Sequence, residues 1–84
     1  MTKKDLEILK KEFGRTVLQI RQNKGLSLRQ VGYRCNLDNS KISKIEKGKI
    51  NISLSTLADL AQGLETHPSE LLRGTSISDR IGQC

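Results

Sequence analysis

Residues 27–48 read SLRQVGYRCNLDNSKISKIEKG, and the fold turns on this stretch. Ser27 followed three residues later by Gln30 is a capping box: the serine oxygen accepts from the Gln30 amide while the glutamine side chain returns to the Ser27 amide. This predicts a helix from Leu28 to about Cys35 with Val31, Gly32 and Cys35 on its inward face. Asn36 stands where the chain must turn sharply, and Asn tolerates a left-handed backbone best after Gly. The turn is then Asn36-Leu37-Asp38. Asp38 can accept from the free amides of Ser40 or Lys41 and so opens a second helix, which Gly48 closes. Ile42 and Ile45 point inward. Asn39, Ser40, Ser43, Lys44 and Lys47 face out, all of them side chains that can meet base edges or grip phosphates. Two short helices joined so tightly make a helix-turn-helix.

Upstream, TKKDLEILKKEFGRTVLQIRQNKG repeats Leu6, Leu9, Phe13, Val17 and Ile20 at intervals of three or four. That stripe predicts one amphipathic helix from about Thr2 or Lys3 to Asn23. Gly14 interrupts it at a cost of about 1 kcal/mol relative to Ala, which suggests close approach of another helix. Gly25 ends the helix in the left-handed position and Leu26 fills the corner before Ser27. Beyond Gly48, Lys49-Ile50-Asn51-Ile52 has no helical period and reads as a loop. Ser53 caps the next helix, where Leu54, Leu57, Leu60, Ala61 and Leu64 mark a core-facing stripe ending near Gly63. His67 precedes a final short helix with Pro68 at its first position, and Leu71 and Leu72 are expected to close the core. The helical domain is expected to span 1–72. Residues 73–84, with Gly, Ser and two isolated isoleucines, are expected to form a flexible tail, ordered only against a partner chain.

Eighty-four residues allow one domain with a small core, for which a compact all-α arrangement of five helices is the natural solution. Fifteen Lys and Arg against nine Asp and Glu give a net charge of +6, which favours a polyanionic partner. One Phe, one Tyr and no Trp leave no aromatic platform for stacking single-stranded bases, so double-stranded DNA fits better than RNA. Cys35 and Cys84 have no metal-ligand spacing, His67 is a lone imidazole, and no phosphate-cradling Gly loop or nucleophile with a base is visible. No enzyme activity, metal or cofactor is expected. With no signal peptide or long apolar run, the reading is a cytoplasmic protein with free thiols and no membrane partner. Cys35 reads as a small core hydrophobe and Cys84 as an adventitious cross-linking thiol.

The stretch FGRTVLQIRQNKGLS and the residues after it, to about Leu72, resemble the Cro/repressor-type helix-turn-helix family, also called Xre-like or lambda-repressor-like. Its marks here are Ile-Arg-x-x-Lys-Gly-Leu-Ser before the motif, Ile-Ser-x-Ile-Glu-x-Gly at the end of its second helix, and Leu-x-x-Leu-Ala-x-x-Leu afterwards. The resemblance implies a transcription regulator, most often a repressor, acting as a homodimer with its recognition helix, about Asn39 to Lys47, in the major groove. It also implies a contact between Arg21 and Glu46. Physically, a partly buried Glu46 beside Ile45 needs a cation, and Arg21 near the end of the first helix is placed to supply it. Two residues depart from the family pattern. Leu28 replaces the usual Gln, so phosphate there must be met by Ser27, the helix N-terminus or Arg29. Gly32 replaces the usual Ala, keeping close packing but weakening its helix by about 1 kcal/mol.

The expected base contacts are Asn39, Ser40 and Lys44, followed by Lys41 and Ser43. The expected phosphate contacts are Ser27, Arg29, Lys47, Lys49 and Asn51, with Arg21 if its guanidinium is partly exposed. Lys3, Lys4, Lys10 and Lys11 read as solubility charges. The dimer surface is expected to combine Leu71, Leu72, Ile77 and Ile81, and its palindromic site would have half-sites about 34 Å apart. Two variants of this reading differ in partner. Small size and the Asn-Leu-Asp and Asn-Ile-Ser-Leu runs also resemble controller proteins of restriction-modification systems. An antitoxin-type module would instead use its tail to cover a protein partner. A basic packaging or RNA-binding protein is the remaining class, distinguished by indifference to DNA sequence.

Overall fold

Five α-helices, α1 (Lys3–Asn23), α2 (Leu28–Cys35), α3 (Asn39–Glu46), α4 (Leu54–Gly63) and α5 (Pro68–Arg73), follow one another in the computed structural model, which describes residues 1–75. No strand occurs among the described residues. Four of the five helices have ten residues or fewer, too short to persist alone, and each helix begins with a side-chain cap. Ser27 accepts from the Gln30 amide at 3.1 Å and Gln30 Oε1 accepts from the Ser27 amide at 2.8 Å, completing the expected box. Thr2 and Asp5 form a second box, which starts α1 at Lys3. Asp38, Ser53 and His67 cap α3, α4 and α5. Asn36 takes the left-handed conformation expected of it, at φ 60°.

The core gathers one face of every helix: Val17, Val31, Ile42, Ile45, Leu60, Leu64 and Leu71 are buried to 1% exposure or less. α1 packs on α3 and α5, and α2 packs on α3 and α4. Two glycines set how closely these helices meet. A methyl built on Gly14 would overlap the Ile45 carbonyl oxygen and stand 2.6 Å from that of Glu46, so α1 lies directly on the end of α3. A methyl on Gly32 would stand 2.6 Å from the Leu37 carbonyl oxygen and 2.8 Å from Asn39 Oδ1. The helix weakening that Gly32 brings is thus exchanged for an approach of α2 and α3 that Ala cannot match. Glu65, at φ 53°, straps the opposite side: its carbonyl accepts from Lys24 Nζ at 2.8 Å and its carboxylate pairs with Arg34 at 2.7 Å.

Three expectations are corrected. Leu54 does not face the core but is 81% exposed, because it lies at the edge of the α4 stripe, at the rim of a cleft that α1 also lines; Thr56 takes the buried place. Leu71 and Leu72 do not both close the core: successive helical side chains point about 100° apart, and here only Leu71 turns fully inward. Leu71 is fully buried, which removes it from any dimer surface, while Leu72 is 37% exposed. The packed unit also runs past residue 72: α5 includes Arg73, and buried Thr75 donates its hydroxyl to the Leu72 carbonyl at 2.7 Å. Ile77, Ile81, Cys84 and the rest of the expected tail lie outside the described residues.

Gly14→Ala is expected to destabilise the protein by about 3 kcal/mol, because backbone carbonyls must move to admit the methyl. Gly25→Ala, where φ is +67° but the space is open, is expected to cost only about 1 kcal/mol. Urea denaturation of the two variants checks the difference.

Candidate nucleic-acid interface

α3 presents its outward row through its packing. Ile42 and Ile45 anchor one side in the core, which turns Asn39, Ser40, Lys41, Lys44 and Lys47 to the exposed surface; Ser43 is half-buried at the edge. Asp38 Oδ1 accepts from the Ser40 amide at 3.4 Å, a long cap. At the other end the Gly48 amide donates to the Ile45 carbonyl and the Lys49 amide to the Lys44 carbonyl, both at 3.0 Å. With Gly48 at φ +71°, this ending satisfies the last carbonyls of α3 and turns Lys49 and Asn51 outward beside it.

Beneath the row, Arg21 holds α3 in place. Its Nε donates to Glu46 Oε2 at 2.7 Å, Nη2 donates to Oε1 at 3.2 Å, and Nη1 donates to the Leu26 carbonyl at 2.9 Å. The side chains are 14% and 8% exposed, so this is a mostly buried fork between carboxylate and guanidinium. The resemblance implied the pair and the structure contains it. Arg21 is thereby committed to the protein itself, which argues against its place among the phosphate contacts.

The α2 N-terminus lies on the other flank. Gln30 occupies the Ser27 amide, which leaves the Ser27 hydroxyl proton, the first-turn amides of Leu28 and Arg29, and the exposed Arg29 side chain to meet an anion. Between Glu12 and Asp59 the only carboxylates are Asp38 and Glu46, one capping a helix and the other held by Arg21. Arg29, Lys41, Lys44, Lys47 and Lys49 therefore set a positive field over this face. The ion pairs Lys10–Glu7, Arg34–Glu65 and Arg73–Glu70 draw on other residues.

Other candidates for chemistry fall into structural roles. His67 Nδ1 accepts from the Ser69 amide at 3.2 Å and caps α5. Cys35 is buried, and desolvation pushes its thiol above the ordinary range, away from the reactive thiolate. Among the described residues no three His, Cys, Asp or Glu side chains come together as a metal site, and no helix is long and apolar enough to cross a membrane.

A family model described as a helix-turn-helix domain matches residues 12–73. Over 68 residues the chain is 35% identical to control protein C.BamHI of Bacillus amyloliquefaciens, covering 80% of this chain and 84% of that protein. The chain belongs to the Cro/repressor-type, Xre-like helix-turn-helix family. Among solved structures it is similar to the restriction-modification controller protein C.AhdI from Aeromonas hydrophila, with a TM-score of 0.70 and 34% identity over 73% of this chain and 92% of that one. The clp gene regulator ClgR of C. glutamicum, at 23% identity and a TM-score of 0.76 over 83% of this chain and 91% of that one, shares the lambda-repressor-like fold.

Sequence reading missed three surface features. Leu54 is exposed beside a cleft of about 230 Å³ between α1, α4 and the 50–53 loop, Tyr33 is 90% exposed on α2, and Arg34 is tied to Glu65. Heptad-like spacing carries no sign of the first. A surface Tyr in a chain with only one other aromatic was a usable signal for the second.

Replacing either Arg21 or Glu46 by Ala is expected to cost about 3 kcal/mol, because the remaining charge stays buried. The double variant is expected to lose less than the sum. A double-mutant cycle from urea unfolding gives the coupling, and additive single effects would show that the fork contributes nothing.

Proposed function

We propose that this helix-turn-helix regulator binds a specific double-stranded DNA site with α3 in the major groove. The observation that carries this is a helix whose exposed row of Asn, Ser and Lys side chains has no carboxylate paired with it among the described ion pairs, held in place by Arg21–Glu46 beneath it. Asn39, Ser40, Lys41 and Lys44 meet base edges, with half-buried Ser43 reaching them from the side. Ser27, Arg29, Lys47, Lys49 and Asn51 grip the flanking phosphates and fix the register. Asn suits adenine and Lys suits guanine.

The protein acts as a homodimer on a palindrome, and the second copy seats on the apolar face formed by Leu54, Leu72 and the cleft lined by Leu6, Leu9, Phe13 and Leu57. A protruding Leu54 next to a cleft on the same face suits an isologous contact, in which each copy gives and receives. The adjoining loop carries Lys49 and Asn51, so a two-fold axis here brings both phosphate-gripping edges onto one side of the pair. Control of a restriction-modification system is the biological setting we favour, because C.AhdI, 34% identical to this chain, is a restriction-modification controller protein.

Selection from random duplexes with the full chain at about 150 mM salt is expected to enrich a palindrome. Lys44→Ala is expected to relax preference at one position per half-site by about 1–3 kcal/mol. Leu54→Glu is expected to shift sedimentation to monomer while the circular dichroism spectrum at about 25 °C stays that of the folded chain, because Leu54 is outside the core. Binding that fades with salt and enriches no motif would sink the proposal.

A further inference from the structure

Tyr33 has no role in the packing described above. It is 90% exposed, so its ring contributes almost nothing to folding. Its position on α2 is nonetheless specific. Gly32 marks the side of α2 that faces α3, where its nearest neighbours are Leu37, Asn39 and Ile42. At about 100° per residue, Arg29 lies about 60° and Tyr33 about 100° round from Gly32, both turning outward on the α3 side. Arg34 lies on the far side, drawn to Glu65 at 2.7 Å. Arg29, in the first turn of α2, and Tyr33, in its C-terminal half, are one helical turn apart, about 6 Å along the axis, and form a strip along one side of the helix.

We propose that Tyr33 donates its phenol hydroxyl to a backbone phosphate next to the one met by Ser27 and Arg29, extending the grip of α2 along one DNA strand. This rests on the reading of α3 as the helix in the major groove. A base contact is disfavoured because the ring stands on α2, outside the α3 row. A phenol donates a hydrogen bond without neutralising the phosphate, so the contact adds affinity without releasing a counterion, unlike the neighbouring Arg29. That difference gives each residue its own signature.

The test is fluorescence anisotropy with full-length wild type, Tyr33→Phe and Arg29→Ala, on the duplex enriched by selection and on a scrambled duplex, between 50 and 200 mM salt. Tyr33→Phe is expected to weaken binding to both duplexes about fivefold with the salt slope unchanged. Arg29→Ala is expected to lower the slope by about 1. Thermal melting of Tyr33→Phe should match wild type. Wild-type affinity in Tyr33→Phe overturns the proposed contact, as does a change confined to the selected duplex, which would indicate base readout. Wild type that binds neither duplex overturns the regulator reading itself, and the contact with it.

Discussion

The end of α3 is clamped onto α1 by a contact that leaves no slack. Gly14 lets the backbone of α1 lie against the carbonyls of Ile45 and Glu46, and Arg21, two turns further along α1, takes both oxygens of Glu46. The same guanidinium reaches the Leu26 carbonyl at the entry to α2. One side chain therefore joins the long helix to both members of the helix-turn-helix. An eight-residue helix has little stability of its own, so its orientation is inherited from α1. Gly32 does the corresponding work between α2 and α3, where the Leu37 carbonyl leaves no room for a methyl group.

This clamp separates structure from recognition. Because Ile42, Ile45 and Glu46 hold α3, its outward residues carry no packing duty and are free to be polar and basic. The carboxylates that would weaken the positive field are used internally, Asp38 as a cap and Glu46 in the fork. On the far side of the 50–53 loop the surface changes character, with Leu54 and Leu72 beside an apolar cleft. One small domain thus carries a basic reading face and an apolar face.

Much of this was legible in the sequence because it is local. Ser27 with Gln30, Asp38, Ser53 and His67 announce helix starts within two or three residues, and Asn36 announces the turn. The core side of each helix followed from spacing. Periodicity states which residues share a face, but not how far that face is covered, and so Leu54 and Leu72 were assigned to the core. Arg34 and Glu65 meet across 31 residues with no local trace. Neither the buried Thr75 nor its bond to the Leu72 carbonyl follows from composition. The site residues were legible by type and exposure, while the commitment of Arg21 to three internal acceptor oxygens required the fold.

The most direct measurement is a titration of uniformly ¹⁵N-labelled full-length protein with the duplex that selection enriches, followed by amide chemical shifts. The largest changes are expected on residues 27–30 and 39–49, with the buried α4 residues Leu60 and Ala61 little changed. Changes concentrated elsewhere, with the amides of α3 unmoved at saturation, would contradict it.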